Sequence, residues 1–202
     1  MELNDAIKTR RSIRKFKSTP VSDQHIQDLL EAARLAPTGS NLQPSRFVII
    51  KNPEVRAKLN DCTPLPFVAS APVVLACCVD TQAFASSTRR YVELREAGAF
   101  VDTPLNEPSD STSLKKRNLD EAAAKAYLSL NVAIAIDHIT LRAVDLGLGT
   151  CWIMMFDQDK TKALLELDER YSIVALLPIG YPDQSPGPRP RLELNKLILK
   201  EL

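Results

Sequence analysis

Arginine-rich segments near both ends of the chain are the residues best suited to chemistry, because an arginine fork binds two phosphate oxygens at once. Residues 8–17 carry six cations and no acid, and Ser12 adds a hydroxyl donor. Residues 188–191 read PRPR, so prolines restrict the backbone that carries two further arginines. The two segments could enclose a phosphate together, although each alone is also typical of a solvated basic surface or a stiff linker.

Two further segments could contact a flat ligand. Residues 37–44 (PTGSNLQP) offer backbone and amide groups that could bind the edge of a heteroaromatic ring, although ordinary turns have the same composition. Residues 147–155 (GLGTCWIMM) look faintly like a dinucleotide fingerprint. Trp152 replaces the third glycine and a helix precedes the segment, which excludes a Rossmann phosphate loop. The tryptophan and methionines could pack on a ligand or fill the core.

Composition excludes several classes of protein. The 202 residues have a net charge of +1, which argues against bulk electrostatic attraction to nucleic acid or anionic membranes. The longest apolar runs are too short to span a membrane, and no hydrophobic signal core is present. Four cysteines without C-x-x-C spacing and two histidines give no metal site. We interpret the cysteines as buried reduced thiols of a cytoplasmic protein. Motifs of hydrolytic enzymes are missing.

Hydrophobic patterning predicts the elements that must position these segments. Apolar periodicity predicts helices at residues 3–10, 23–36, 54–60, 120–146 and 160–167. Runs rich in β-branched residues predict strands at residues 46–51, 72–80, 150–155 and 172–180, of which the second and fourth suit central positions. Residues 81–118 are irregular, and residues 103–113 are the best candidate for a loop or lid. Because no linker divides the chain, we predict one α/β domain over residues 1–202.

The order of these segments resembles that of the nitroreductase family of FMN-dependent oxidoreductases. The family's phosphate-binding opening looks like RRSIRKF, and its proline loop with the following strand looks like APTGSNLQPSRFVII. Its G-L-G-x-x-W segment looks like GLGTCWI, and its closing pattern looks like LPIGYPDQSPGPRPR. Each motif alone is weak, but four in the right order are specific, and they cover essentially the whole chain.

The resemblance implies FMN as the cofactor and a role for each segment. The residues that match the phosphate and ribityl site are Arg10, Arg11, Ser12, Arg14, Arg189 and Arg191, with Arg14 also near the pyrimidine edge. The residues that match the loop beside the isoalloxazine are Pro37, Thr38, Gly39, Asn41 and Gln43. The residues that match the segment on the other side are Trp152, Ile153, Met154 and Met155. No catalytic side chain is implied, because flavin N5 carries the hydride.

The resemblance further implies an α+β fold, in which helices flank a central, mostly antiparallel sheet, and an intertwined homodimer with FMN at the subunit interface. The arginine segments and the proline loop would come from different subunits. NADH or NADPH would reduce the flavin, which would then reduce a nitroaromatic, quinone or similar electron-poor acceptor by a ping-pong scheme. Residues 81–118 would cover the substrate.

Departures from the family pattern leave alternatives open. Ser45 stands where many members have Trp, and Met154–Met155 stands where some have Glu-Gly. Asn60 and Thr63 are candidates for a further contact to the pyrimidine ring. The same fold could perform reductive dehalogenation or flavin-destructive chemistry, and a non-enzymatic nucleic-acid binder using residues 8–17 is a third hypothesis. The motifs do not distinguish NADH from NADPH or one acceptor from another.

Overall fold

The computed structural model describes residues 1–106 and 119–202, which build a sheet between two layers of helices. The strands are β1 (Ser45–Ile50), β2 (Val73–Asp80), β3 (Gly149–Thr150) and β4 (Tyr171–Gly180). They are ordered β1-β2-β4-β3, and every neighbouring pair is antiparallel. This confirms the α+β architecture with an antiparallel sheet that the resemblance implied. Among the described residues, no helix is both long and apolar enough to cross a membrane.

The two central strands are covered on both faces, as their continuous apolar sequences predict. Every residue of β2 is buried. Leu75 and Cys77 face one hydrophobic cluster, whereas Val74 and Cys78 face a second cluster on the other side of the sheet. This alternation follows from the two-residue period of a strand. All four cysteines are free and buried, which confirms the prediction of buried thiols.

Helices form the two outer layers. Their bounds are α1 (Leu3–Thr9), α2 (Asp23–Arg34), α3 (Pro53–Lys58), α4 (Pro66–Ser70), α5 (Ser87–Glu96), α6 (Glu121–Asp145) and α7 (Gln158–Leu164). Helices α2 and α6 contribute Leu29 and Ile136 to the first cluster, and α4 contributes Val68 to the second. The long helix α6 therefore lies against one face of the sheet.

Local signals in the sequence mark several helix boundaries correctly. The Ser22 side chain accepts a hydrogen bond from the His25 backbone N–H (3.1 Å) at the start of α2. The Asp120 carboxylate accepts a hydrogen bond from the Ala123 backbone N–H (2.7 Å) at the start of α6. Gly147, just after α6, has φ 71°, the left-handed conformation that a C-terminal cap requires. These contacts satisfy backbone groups that a helix end would otherwise leave unpaired.

Two of the predicted elements need correction. The strand predicted at residues 150–155 ends at Thr150, and only Ile153 rejoins β4, through a bridge to Leu176. The following chain is instead held by the residues after α3, because the Thr63 hydroxyl donates to the Met155 carbonyl (2.6 Å) and the Asp157 backbone N–H donates to the Cys62 carbonyl (2.7 Å). The sequence analysis also missed α4. Within residues 81–118, which were predicted to cover the substrate, residues 87–96 form α5, and residues 107–118, which include most of the loop or lid candidate at 103–113, lie outside the described residues.

Candidate functional site

The two arginine segments meet in one cavity of about 320 Å³. The cationic side chains that line it are Lys8, Arg10, Arg11, Arg14, Arg189 and Arg191, together with Ser12. No acidic side chain of the described chain lines this cavity. The segments are about 175 residues apart in sequence, so their meeting could not be inferred from periodicity. We call this the arginine cavity.

Backbone pairing at the edge of the sheet fixes the first arginine-rich segment, residues 8–17, which we call the opening segment. The Ile13 backbone N–H donates to the Thr150 carbonyl (2.9 Å), and Ser12 and Thr150 form a parallel bridge. The Lys17 backbone N–H donates to Tyr181, and the Asp183 backbone N–H donates to the Lys15 carbonyl, both at 2.9 Å. The segment therefore lies between β3 and the chain that leaves β4. This arrangement brings the opening segment beside the chain that leads from β4 to the second arginine-rich segment, residues 188–191.

The arginines of this cavity are available to an anion. Arg10, Arg14, Arg189 and Arg191 form no ion pair with any residue in the described ranges. Arg11 instead turns back, and its Nη1 donates to the carbonyls of Lys8 and Arg10, both at 2.8 Å. Gathered cations without a nearby carboxylate repel one another, and a bound phosphate would relieve that repulsion. The donor set therefore fits the phosphate of FMN.

The cavity lies next to the segment that follows β3. Burial raises the pKa of the Cys151 thiol, while the charge of Arg14 and a hydrogen bond with Ser12 act to lower it. The opening segment is thus adjacent to Cys151, the first residue after β3. Met154 and Met155 are 70% and 63% exposed, so both thioethers are available to a ligand.

The other two residues of the predicted segment lie deeper. Ile153 is buried, and its backbone N–H and carbonyl both pair with Leu176 (3.0 and 2.9 Å), so it anchors the segment to the sheet. Trp152 is half-buried and packs against the first hydrophobic cluster. Its indole Nε1 is buried and has no hydrogen-bond partner among the described residues. A buried indole N–H normally donates to an acceptor, so this group is suited to a bound ligand.

The proline loop has a strained backbone. Ser40, Asn41 and Gln43 have φ of 51°, 52° and 50°, which non-glycine residues rarely adopt. The Thr38 hydroxyl accepts from the Gln43 backbone N–H (3.1 Å), and its carbonyl accepts from the Asn41 N–H (2.9 Å). Such strain persists only where surrounding contacts impose it, and it concentrates at functional sites. The loop is therefore more than an ordinary turn.

Two residues of α6 that the sequence analysis missed hold this loop in place. The buried Asn131 side chain accepts from the Gly39 backbone N–H (2.7 Å) and donates to the Tyr127 carbonyl (2.7 Å). A Cβ atom at Gly39 would lie 1.8 Å from the Tyr127 hydroxyl, so any larger residue requires the Tyr127 side chain or the loop to move. A polar Asn in an otherwise apolar stretch of helix was the one available signal, but its partner lies 92 positions away in sequence.

Within one chain, the arginine cavity and the proline loop lie at opposite corners of the sheet. The opening segment lies beside β3, at the end of the sheet where β2 begins with Val73. The loop precedes β1, at the opposite end of the sheet, where β2 finishes with Asp80. Seven residues of strand at roughly 3.4 Å each separate these levels by about 24 Å. Along α6, Asn131 binds Gly39 of the loop and Asp145 binds the N-terminal amine of Met1, which precedes the opening segment, and the fourteen residues between them give about 21 Å. One chain therefore cannot place both groups against the same small ligand.

Comparison with known proteins places this geometry in context. The model of the nitroreductase family matches residues 7–181. A protein named NADH dehydrogenase from Thermus thermophilus is 29% identical over 98% of this chain and 96% of its own length. A protein named NAD(P)H nitroreductase from Streptococcus pyogenes is 28% identical over 98% of this chain and 97% of its own length.

Among solved structures, a nitroreductase from Exiguobacterium sibiricum in complex with FMN superposes with a TM-score of 0.81 at 24% identity, covering 100% of this chain and 98% of that chain. This likeness shows that the two chains share a fold. Together with the family match over most of the sequence, it agrees with the antiparallel sheet and the order of the four motifs. The chain belongs to the nitroreductase family.

Proposed function

We propose that this protein is an FMN-dependent oxidoreductase that transfers hydride from NADH or NADPH to an electron-poor acceptor such as a nitroaromatic compound or a quinone. The single observation that carries the proposal is the arginine cavity, in which unpaired cations from both ends of the chain converge. The structural neighbour from Exiguobacterium sibiricum contains FMN, and the two relatives bear the names NADH dehydrogenase and NAD(P)H nitroreductase. Bound FMN would supply the hydride-transfer chemistry.

The chain's own residues bind and orient the cofactor in this proposal. Arg10 and Arg189 would hold the phosphate, and the Ser12 hydroxyl would donate to the ribityl chain. Arg14 would lie at the pyrimidine edge, where a cation stabilises negative charge that develops on reduction. Met154 and Met155 would provide an apolar wall that excludes water. No side chain needs to act as nucleophile, acid or base, so the absence of such a motif is consistent with this role.

The separation of the arginine cavity from the proline loop supports an intertwined homodimer. We propose that each flavin lies between the arginine cavity of one subunit and residues 37–43 of the other. Apolar side chains left exposed by the single chain are suited to the interface. On α6 they include Leu130 (66% exposed) and Ile134 (40%), and Leu194 and Leu199 lie in the C-terminal arm. We define the C-terminal arm as residues 187–202, all of which are exposed.

The geometry favours a small phosphate ligand over nucleic acid. The cations of residues 8–14 converge with Arg189 and Arg191 on one concave cavity, whereas a duplex requires an extended basic surface. Product analysis with a panel of acceptors distinguishes the proposed reaction from reductive dehalogenation and flavin destruction, and initial-rate kinetics test the proposed ping-pong order. The four free, buried thiols fit the cytoplasmic location that the sequence predicts.

Anaerobic reduction of the purified protein tests the proposed function. We expect a yellow protein that bleaches with NADH or NADPH and recovers its colour when an acceptor is added. Because Arg10 and Arg189 form no ion pair with the described residues, Arg10→Ala and Arg189→Ala should weaken FMN retention by roughly tenfold or more without changing the midpoint of denaturation. A colourless protein that fails to take up FMN would contradict the proposal. Full flavin occupancy of both variants after dialysis would contradict the phosphate assignment.

A further inference from the structure

A second cluster of arginines lines a cavity of about 410 Å³ beside the proline loop. Its charged lining residues are Arg46, Asp80, Arg89, Arg90 and Arg170, and Gln43 of the loop forms part of its wall. This arginine pocket lies at the β1 corner of the sheet, away from the arginine cavity. Arg46 of β1 lies in the segment that matches the family's loop and following strand, whereas Arg89 and Arg90 of α5 and Arg170, the residue before β4, belong to none of the motifs identified in the sequence.

The arginine pocket has an excess of positive charge. Asp80 is 2% exposed and pairs with both Arg46 (3.2 Å) and Arg170 (2.7 Å). Glu93 pairs with both Arg89 (3.5 Å) and Arg90 (2.7 Å). Each of these carboxylates is thus shared by two guanidinium groups, so the four arginines exceed the two carboxylates that pair with them by two positive charges, and Asp168, which accepts from the Arg170 backbone N–H (2.8 Å), is a further acidic group beside Arg170. A dianion would neutralise this excess, whereas a single carboxylate would neutralise half of it.

The donors of the pocket are held in place before any ligand binds. Arg170 donates through Nε and Nη2 to both oxygens of Asp80 (2.9 and 2.7 Å), a two-point contact that fixes the guanidinium plane. Arg46 is fixed in turn by the carbonyls of Gln43 and Ser45 (3.0 and 2.8 Å). The buried Nε of Arg90 has no partner among the described residues. These fixed donors lower the entropic cost of binding an anion.

We propose that the arginine pocket binds a phosphate monoester, namely the adenosine 2′-phosphate of NADPH, and that it makes the protein prefer NADPH to NADH. This inference rests on the proposed function, which supplies the nicotinamide nucleotide. A phosphate monoester carries a charge of about −1.5 to −2 at pH 7, which matches the excess charge of the pocket. Gln43 connects the pocket to the loop that lies beside the flavin in our proposal, so a donor nucleotide could reach from one to the other.

Isothermal titration of the FMN-loaded protein with small probes tests this inference without catalysis. We expect adenosine 2′,5′-bisphosphate to bind roughly tenfold or more tightly than adenosine 5′-monophosphate, because only the former carries the 2′-phosphate. The double variant Arg89→Gln/Arg90→Gln should remove that preference, and it should leave the fold intact because α5 has no buried residues. Arg95→Gln, on the same helix but outside the pocket, should keep the preference.

Inorganic phosphate provides the third arm of the titration. If it binds as tightly as the bisphosphate and the double variant weakens both equally, the pocket is a site for free phosphate and the assignment to NADPH is wrong. Equal affinity of the wild type for the bisphosphate and the monophosphate would also overturn the inference.

Kinetics separate this inference from the proposed function. We expect the ratio of kcat/KM for NADPH to kcat/KM for NADH to fall in the double variant and to stay unchanged in Arg95→Gln. Flavin reduction by neither nucleotide would contradict the proposed function itself. Normal reduction with equal kcat/KM for both nucleotides would contradict only the role of the arginine pocket.

Discussion

At the scale of single residues, Asp80 shows how a buried charge is compensated. Its carboxylate is nearly inaccessible, yet Arg170 and Arg46 hydrogen-bond to it, and the Gln82 backbone N–H donates to it as well (3.1 Å). The hydrogen bonds from Arg170 hold the pKa of Asp80 below its usual value, against the opposing effect of burial. The charge thereby connects β1, β2 and the start of β4.

Asp80→Asn should therefore destabilise the protein by about 2 kcal/mol at neutral pH, because it leaves two arginines without their carboxylate. Since the folded pKa is lowered, the ionised carboxylate stabilises the fold above its unfolded pKa of about 3.9, and this contribution is lost as the pH falls through the folded value. Urea denaturation between pH 7 and pH 3 measures both effects. Asp183→Asn, which breaks an exposed pair with Lys15, serves as control and should change little. Equal stability of wild type and Asp80→Asn at neutral pH would refute this role.

Gly39 is the residue at which the proline loop contacts α6 most closely. Gly39→Ala should weaken FMN retention several-fold, because the new methyl group would collide with the Tyr127 hydroxyl and displace the loop. The double variant Gly39→Ala/Tyr127→Phe removes that hydroxyl and should recover part of the lost affinity. Fluorescence of released flavin after gel filtration measures retention. Unchanged retention in Gly39→Ala would show that the loop position is irrelevant to the cofactor.

At the scale of elements, local signals predicted what local interactions determine. Helices α2 and α6 begin within one residue of their predicted starts, where Ser22 and Asp120 cap them, and the apolar runs of β2 and β4 are the central strands. The strand predicted at residues 150–155 failed because its length is set by contacts with Thr63 and Ser12, which are distant in sequence. The role of Asn131 and the arginine pocket were not predicted for the same reason, because the residues that meet there are far apart in sequence. The arginines of residues 10–14 and 189–191 were predicted, because their clustering is visible in the sequence itself.

The C-terminal arm is exposed along its whole length. Its residues are exposed, and Leu199 and Leu202 are fully so. Buried apolar surface contributes about 25 cal/mol per Å², so exposed leucines on an arm indicate a partner surface.

Removal of residues 187–202 should therefore abolish both dimerisation and FMN binding while the subunit remains folded, because the hydrophobic clusters do not include the arm. Analytical ultracentrifugation and circular dichroism measure the two properties. The full-length Arg189→Ala/Arg191→Ala variant is the matched control, and it should lose flavin yet remain dimeric. A truncated chain that still forms dimers would show that the arm is not part of the interface.

At the scale of the whole molecule, the sheet explains why, in our proposal, each subunit carries two half-sites. The arginine cavity and the proline loop lie at diagonal corners, so a cofactor that contacts both must lie between two subunits. The net charge of +1 gives no sign of this arrangement, because the acidic side chains that balance the total lie outside the lining of the arginine cavity, which is cationic. The homodimer, and not the chain, would then be the unit that binds FMN.

Flavin content of a mixed dimer tests this central claim most directly. One subunit carries Arg10→Ala/Arg189→Ala, the other carries Asn41→Ala/Gln43→Ala, and each variant alone must first be shown to lose FMN. In the mixed dimer, the intact arginines of one subunit face the intact loop of the other at a single site. We predict that one FMN per dimer is recovered. A mixed dimer without FMN would contradict the account, because it would mean that both halves of each site come from the same chain.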